Sequence, residues 1–174
     1  MVQHHPPTDF LTEYAASALP VAQSACVAAH LSYCQRCRQA VERLEDIGGA
    51  HFERLDPQPV GDSLLERVLA RLDDPQPLRY APNEASDTQL PGLLDRLING
   101  DYADLVWKRV TQSLSVSYLK TGDPNHEFAL YRIAEGGRIP EHTHGGREMT
   151  LVLHGGFADE SGDYHQGDFI VREG

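Results

Sequence analysis

The chain has 174 residues, 40% hydrophobic and 24% charged, with a formal net charge of −11, a soluble-globular composition long enough for one ordinary domain or two small ones. The acidic balance argues against direct nucleic-acid binding, which needs a basic patch to neutralise phosphates. The longest apolar runs, such as Leu151–Leu153, fall far short of the roughly 20 residues that a membrane span takes.

The first half reads as helical. Within Asp9–Leu19, the residues Phe10, Leu11, Tyr14, Ala15 and Ala18 form one apolar stripe, with Thr8 placed to cap the start and Pro20 to stop the helix. From Pro20 to about Ile47 the pattern predicts a second, long helix, with proline at its first position and Gly48-Gly49 at its end. A third fits Asp62–Leu72, with Leu64, Leu65, Val68, Leu69 and Leu72 on its apolar face. Three helices in this length predict a small helical bundle. Composition then shifts to turn-forming residues from Asp73 to Thr88, which read as a linker, assigned to 77–92, ending near a short helical turn at Leu93, Leu94 and Leu97.

From Trp107 the period changes to two. Leu114, Val116 and Tyr118 alternate with serines, which predicts a strand with one buried face. Strands are also expected around Phe128–Ile133, Met149–Leu153, Gly156–Asp159 and Asp168–Val171, with Trp107 and Tyr131 as sheet packing. Short strands separated by Gly and Asp suggest a β-sandwich or barrel. The expected organisation is therefore an α + β chain of two domains, 1–76 helical and 93–174 β.

Two groups of residues carry chemistry. The first is His30, Cys34 and Cys37. On a continuous helix they sit at roughly 0°, 40° and −20°, at ~100° per residue, so three zinc-type ligands project from one stripe. A fourth must come from elsewhere: His5 serves if the N-terminal arm folds across the second helix, and His4 is the competing choice. The bland alternative is that His30 and the cysteines are small buried residues of a bundle. Cys26, one turn before His30, reads as a buried apolar residue. An odd count of three cysteines fits thiols that bind metal or sense redox in a reducing compartment better than a disulfide scaffold.

A histidine near the N-terminus followed by His-x3-Cys-x2-Cys, together with Tyr14-Ala15-Ala16, resembles the zinc-binding anti-sigma domain over most of residues 1–72. The resemblance implies a bundle of three helices plus a separated fourth that grips an alternative sigma factor of the extracytoplasmic-function group. Asp62–Leu72 would then be the separated helix, and the Pro20–Ile47 stretch would have to break in two near Cys34–Cys37.

The second group is Gly136-x5-His142-x-His144-x3-Glu148-x6-Gly155, which resembles the first cupin motif at every spaced position. Two histidines alternating on one strand point the same way, and two His with one carboxylate suit a divalent metal with open positions. The bland reading is a polar exposed strand. Gly162 and Gly167-Asp168 resemble the start of the second cupin motif, with Gln166 where proline is usual. The cupin resemblance implies an antiparallel jelly roll, truncated here, with a fourth ligand beyond Gly174 and a site holding zinc or another divalent metal, or none in this chain. His154 and His165 read as turn and solvated residues, and His51 and His126 as surface residues.

The order of the two motifs resembles the ChrR-type anti-sigma factors. That resemblance implies a 1:1 complex with an extracytoplasmic-function sigma factor, which would block RNA polymerase binding. It also implies release on oxidative stress, singlet oxygen or organic hydroperoxide, sensed through the cupin-like domain. The partner would be that sigma factor, with no direct nucleic acid and no membrane. The start of the chain, MVQHHPP, lacks the basic and apolar regions of a secretory signal, so a cytoplasmic protein is expected. The alternative from a different class is a metal-dependent, dioxygenase-like cupin enzyme with a regulatory zinc-binding helical domain.

Overall fold

The computed structural model describes residues 2–72, 90–98, 102–137 and 146–173. Helices occupy the N-terminal part and antiparallel strands the C-terminal part. Most of the expected linker, and with it the boundary near residue 76, lies outside the described residues.

Helix α1 spans Thr8–Ala15 and buries Phe10 and Leu11. It ends earlier than the pattern predicts, because Ser17 turns into the left-handed region (φ 54°) and sends the chain back toward Pro20; Leu19 is still buried, now from a loop. Helix α2, Val21–Tyr33, is the centre of the molecule. It packs on α1, on α3 (Gln35–Phe52), on α5 (Gly92–Ile98) and on strand β4 (Glu148–Leu151). The composition of α2 explains this position: Ala22, Ala25, Cys26, Val27 and Ala29 are buried, and their small side chains let neighbours approach from several sides.

The long second helix of the sequence reading is therefore two helices. Cys34 separates them in an extended conformation (φ −117°, ψ 102°) and caps α3, its sulfur accepting from the Cys37 N–H. No proline or glycine marks the break, which is why periodicity alone runs through it. Conversely, Gly48 and Gly49 do not end α3. Neither adopts a positive φ, and the helix continues to Phe52. Helix α4 is only Leu64–Leu69 and has no buried residue.

Among the described residues the strands pair into three antiparallel sheets. Strands β1 (Lys108–Arg109), β2 (Leu114–Tyr118) and β3 (Ala129–Ile133) form one. Strand β4 pairs with β7 (Phe169–Arg172), and β5 (Gly156–Asp159) with β6 (Gly162–His165). Strand β6 is not among the strands expected from the sequence, and β2 departs from its expected alternation: Leu114 and Val116 are buried, but so is Ser117, while Tyr118 is exposed. Tyr131 is likewise exposed, and Trp107 lies under the Arg132 guanidinium, 4.2 Å from the ring centroid.

One apolar cluster joins the two parts. Phe10, Leu11, Cys26, Val27 and Val41 from the helices share it with Phe169 of β7, and Met149, Leu151 and Val171 pack against it. A smaller cluster, Val152, Tyr164 and Ile170, lies on the other side of the β4–β7 pair. Burial of each large apolar side chain contributes roughly 1.5–3 kcal/mol, so this shared cluster fixes the β4–β7 pair against α2. Within the described residues no helix is long and apolar enough to cross a membrane.

Candidate metal centre

Four potential ligands converge where α2, α3 and the N-terminal arm meet. His30 comes from the last turn of α2 and is fully buried. Cys34 stands in the break, and Cys37 in the first turn of α3. The arm before α1 lays His5 across them. The four donor atoms all lie within 4.8 Å of one another. The His5 Nδ1 is 3.4 Å from the sulfur of Cys34 and 3.4 Å from that of Cys37. A tetrahedral ion with metal–sulfur bonds of about 2.3 Å and metal–nitrogen bonds of about 2.0–2.1 Å has S···N edges of about 3.5 Å, so the sulfur–imidazole spacing already matches.

The convergence does not arise from a stripe on one helix, as the sequence reading had it. The backbone break at Cys34 swings its thiol toward that of Cys37, and the N-terminus of α3 points its positive end at the sulfur pair. The arm decides between the two candidate histidines. His5 joins the cluster, whereas the His4 ring packs tilted on Tyr164 at 4.8 Å.

An orphaned atom tests whether an ion fits. The His30 Nε2 is buried and has no hydrogen-bond partner among the described residues, a condition that costs roughly 1–3 kcal/mol when nothing relieves it. Its other nitrogen, Nδ1, lies 2.8 Å from the Gly167 carbonyl. Donation from Nδ1–H to that carbonyl leaves the Nε2 lone pair for a cation. Burial pushes the pKa of both His5 and His30 down, with Arg36 adding to the effect at His5, so both imidazoles are neutral ligands at neutral pH. Burial, and then the neighbouring Cys34 thiol, push the Cys37 thiol up to about 12. A cation must therefore displace the Cys37 proton on binding, the usual coupling of metal binding to proton release. Two sulfurs and two imidazoles, with no carboxylate, make a donor set for a borderline-soft divalent ion. The cluster can hold a metal.

Gly167 and Asp168, which resemble part of the second cupin motif, lie beside this cluster. Asp168, fully buried between β6 and β7, accepts through Oδ1 from the backbone N–H of Gln3 (2.7 Å) and His4 (3.0 Å), and through Oδ2 from that of His165 (2.9 Å). Burial raises its pKa, but the backbone donors of His4, His165 and Gln3 outweigh burial and hold the carboxyl below its usual value. The Phe169 N–H in turn donates to the His4 carbonyl at 3.0 Å. Gly167 has φ +90°, and a Cβ there would stand 2.7 Å from Val2 Cγ2 and 2.8 Å from Tyr33 Cβ. No local signal could have revealed the contacts to the N-terminal arm, which link residues about 165 apart in sequence.

Of the second group, His142 and His144 lie outside the described residues. Glu148 opens β4, half-buried, with Arg172 of β7 opposite it in register. Cys26 is buried, and burial alone raises its thiol to about 12, which fits a packing role. His51, His154 and His165 are exposed. His126 is not simply a surface residue: its ring meets Asp123 at 2.7 Å and Gln23 of α2 at 3.3 Å, tying the β2–β3 loop to the helices.

Comparison with known proteins agrees with this architecture along almost the whole chain. The ChrR cupin-like domain family matches residues 96–173. The anti-sigma-E factor ChrR of Cereibacter sphaeroides is 34% identical over 172 residues, covering 99% of this chain and 80% of that protein. The crystal structure of Rhodobacter sphaeroides SigE in complex with the anti-sigma ChrR contains a chain that superimposes with a TM-score of 0.87 at 31% identity, covering 99% of this chain and 88% of that one.

Proposed function

Because the chain belongs to the family of the ChrR anti-sigma factors, we propose that it is a cytoplasmic anti-sigma factor that sequesters an extracytoplasmic-function sigma factor in a 1:1 complex and blocks its binding to RNA polymerase. The observation that carries this reading is the full-length likeness to a chain solved in complex with a sigma factor. It is a regulator rather than an enzyme on the same ground.

The surface of this chain supports the reading independently. From Ile47 to Leu72 no apolar residue is buried. Phe52, Leu55, Val60, Leu65, Leu69 and Leu72 are each at least half exposed. A run of exposed large hydrophobics on a soluble chain marks an interaction surface, and α4, with no buried residue of its own, has its apolar side chains free for a partner.

In this reading His5, His30, Cys34 and Cys37 hold zinc. When bound, the ion supplies structural closure, tying the arm to the start of α3. The residues do the rest: Cys34 sets the angle between α2 and α3, and His30, anchored on Gly167, fixes the end of α2. His142, His144 and Glu148 form a second site, for zinc or another divalent ion, through which oxidative stress releases the sigma factor.

The test is in vitro transcription by RNA polymerase loaded with an extracytoplasmic-function sigma factor from the same genome. Silencing at one equivalent of zinc-loaded chain, with a 1:1 complex in gel filtration, supports the reading. Undiminished transcription overturns it.

A further inference from the structure

Two of the four ligands of the N-terminal cluster, His30 and His5, depend for their placement on contacts with the C-terminal part of the chain. We infer that the Gly167–Asp168 turn is the outer shell of the metal site, so that the β part of the chain sets the metal affinity of the helical part, and metal loss loosens the contact between them. This rests on the metal reading given above, but goes beyond it by assigning roles to residues that touch no metal.

Two links make the argument. The first is to His30. Its Nδ1–H donates to the Gly167 carbonyl at 2.8 Å, which fixes both the tautomer and the plane of the ring that offers Nε2 to the cluster. Partners of this kind, on the far nitrogen of a ligating imidazole, change metal affinity by about 10–100-fold when removed. The second is to His5. That residue sits on an arm with no secondary structure, so its position depends on what holds the arm. The neighbouring residues Gln3 and His4 are held by both backbone N–H groups donating to the Asp168 carboxylate, and by the Phe169 N–H donating to the His4 carbonyl. A buried carboxylate accepting from three N–H groups is a stiff anchor, because each bond is charge-assisted. Two of the four ligands are thus positioned by one turn between β6 and β7.

The surroundings show that the turn is fitted to this task. Gly167 has no room for a side chain between Val2 of the arm and Tyr33 at the end of α2. The Tyr33 hydroxyl and the Gln166 amide both donate to the Leu153 carbonyl, at 3.2 and 2.9 Å, closing the other side of the turn. The His30 ring also meets Phe169 edge-on at 5.7 Å. A disturbance of the β4–β7 pair would therefore reach two ligands directly. Coupling is reciprocal in free energy: if docking of the turn tightens the metal, the metal tightens docking by the same factor.

The experiment uses the full chain and two metals as probes. Zinc affinity is measured by competition with a chromophoric chelator, and cobalt(II) absorption reports the ligand field. Asp168→Ala is expected to weaken zinc by about 10–100-fold and to change the cobalt spectrum, and Asp168→Asn, which keeps one acceptor, to weaken it less. Folded variants with wild-type affinity and spectrum overturn the inference. Hydrogen exchange on the unmutated chain covers the case in which Asp168→Ala does not fold. The Gln3, His4 and Phe169 amides are expected to exchange faster after zinc removal, and unchanged protection there overturns the coupling. A wild-type chain that takes up neither zinc nor cobalt overturns the metal reading itself, and the inference with it.

Discussion

Substituting Gly167 by alanine separates the docking of the turn from ordinary backbone preference. At φ +90° an L-residue is strained, at a cost of about 1–2 kcal/mol. The new Cβ would also lie 2.7 Å from Val2 and 2.8 Å from Tyr33, and overpacking of this kind costs about 1–3 kcal/mol more. Gly155 supplies the control: it has φ +69°, and among the described residues nothing lies within 4 Å of where a Cβ would stand, so Gly155→Ala carries the backbone cost alone. Gly167→Ala is therefore expected to lie about 1–3 kcal/mol below Gly155→Ala. For a chain of this length that is roughly 2–12 °C in Tm, read by circular dichroism on the zinc-loaded protein. Equal melting of the two variants would refute the close approach of the arm, α2 and the turn.

Other outcomes follow from the same contacts. Val27→Ala, at the fully buried centre of α2, is expected to cost about 2 kcal/mol in urea denaturation. Gly48→Ala and Gly49→Ala, helical and with open space around a Cβ, should each stabilise the chain by up to about 1 kcal/mol, measured the same way. Leu65→Ser and Leu69→Ser on exposed α4 should leave stability within about 0.5 kcal/mol while weakening capture of the sigma factor, measured by titration calorimetry. His142→Ala with His144→Ala should leave silencing intact and abolish release by singlet oxygen or organic hydroperoxide in a reporter assay.

The His5, His30, Cys34 and Cys37 cluster, which can hold a metal, was legible because His30, Cys34 and Cys37 are close in sequence and of ligating type, and because a histidine-bearing arm precedes them. Its construction was not. A break at Cys34 carries no Gly or Pro, so hydrophobic periodicity passes through it, and the choice of His5 over His4 depends on where the arm docks. That docking is made by backbone N–H groups on a carboxylate at the other end of the chain, and backbone donors leave no trace in a pattern of side chains. The strands were legible from their alternation where one face is buried, as at Leu114 and Val116. They were missed where the strand is short and polar, as at Gly162–His165, where no alternation of apolar residues marks a buried face.

The most direct test measures zinc and silencing on one preparation. Folded chain, analysed for metal and titrated into sigma-dependent transcription, should silence it at one equivalent while zinc is bound to the His5, His30, Cys34 and Cys37 cluster, and lose that capacity when a chelator removes the ion. Folded, zinc-loaded chain that leaves transcription undiminished would contradict the account.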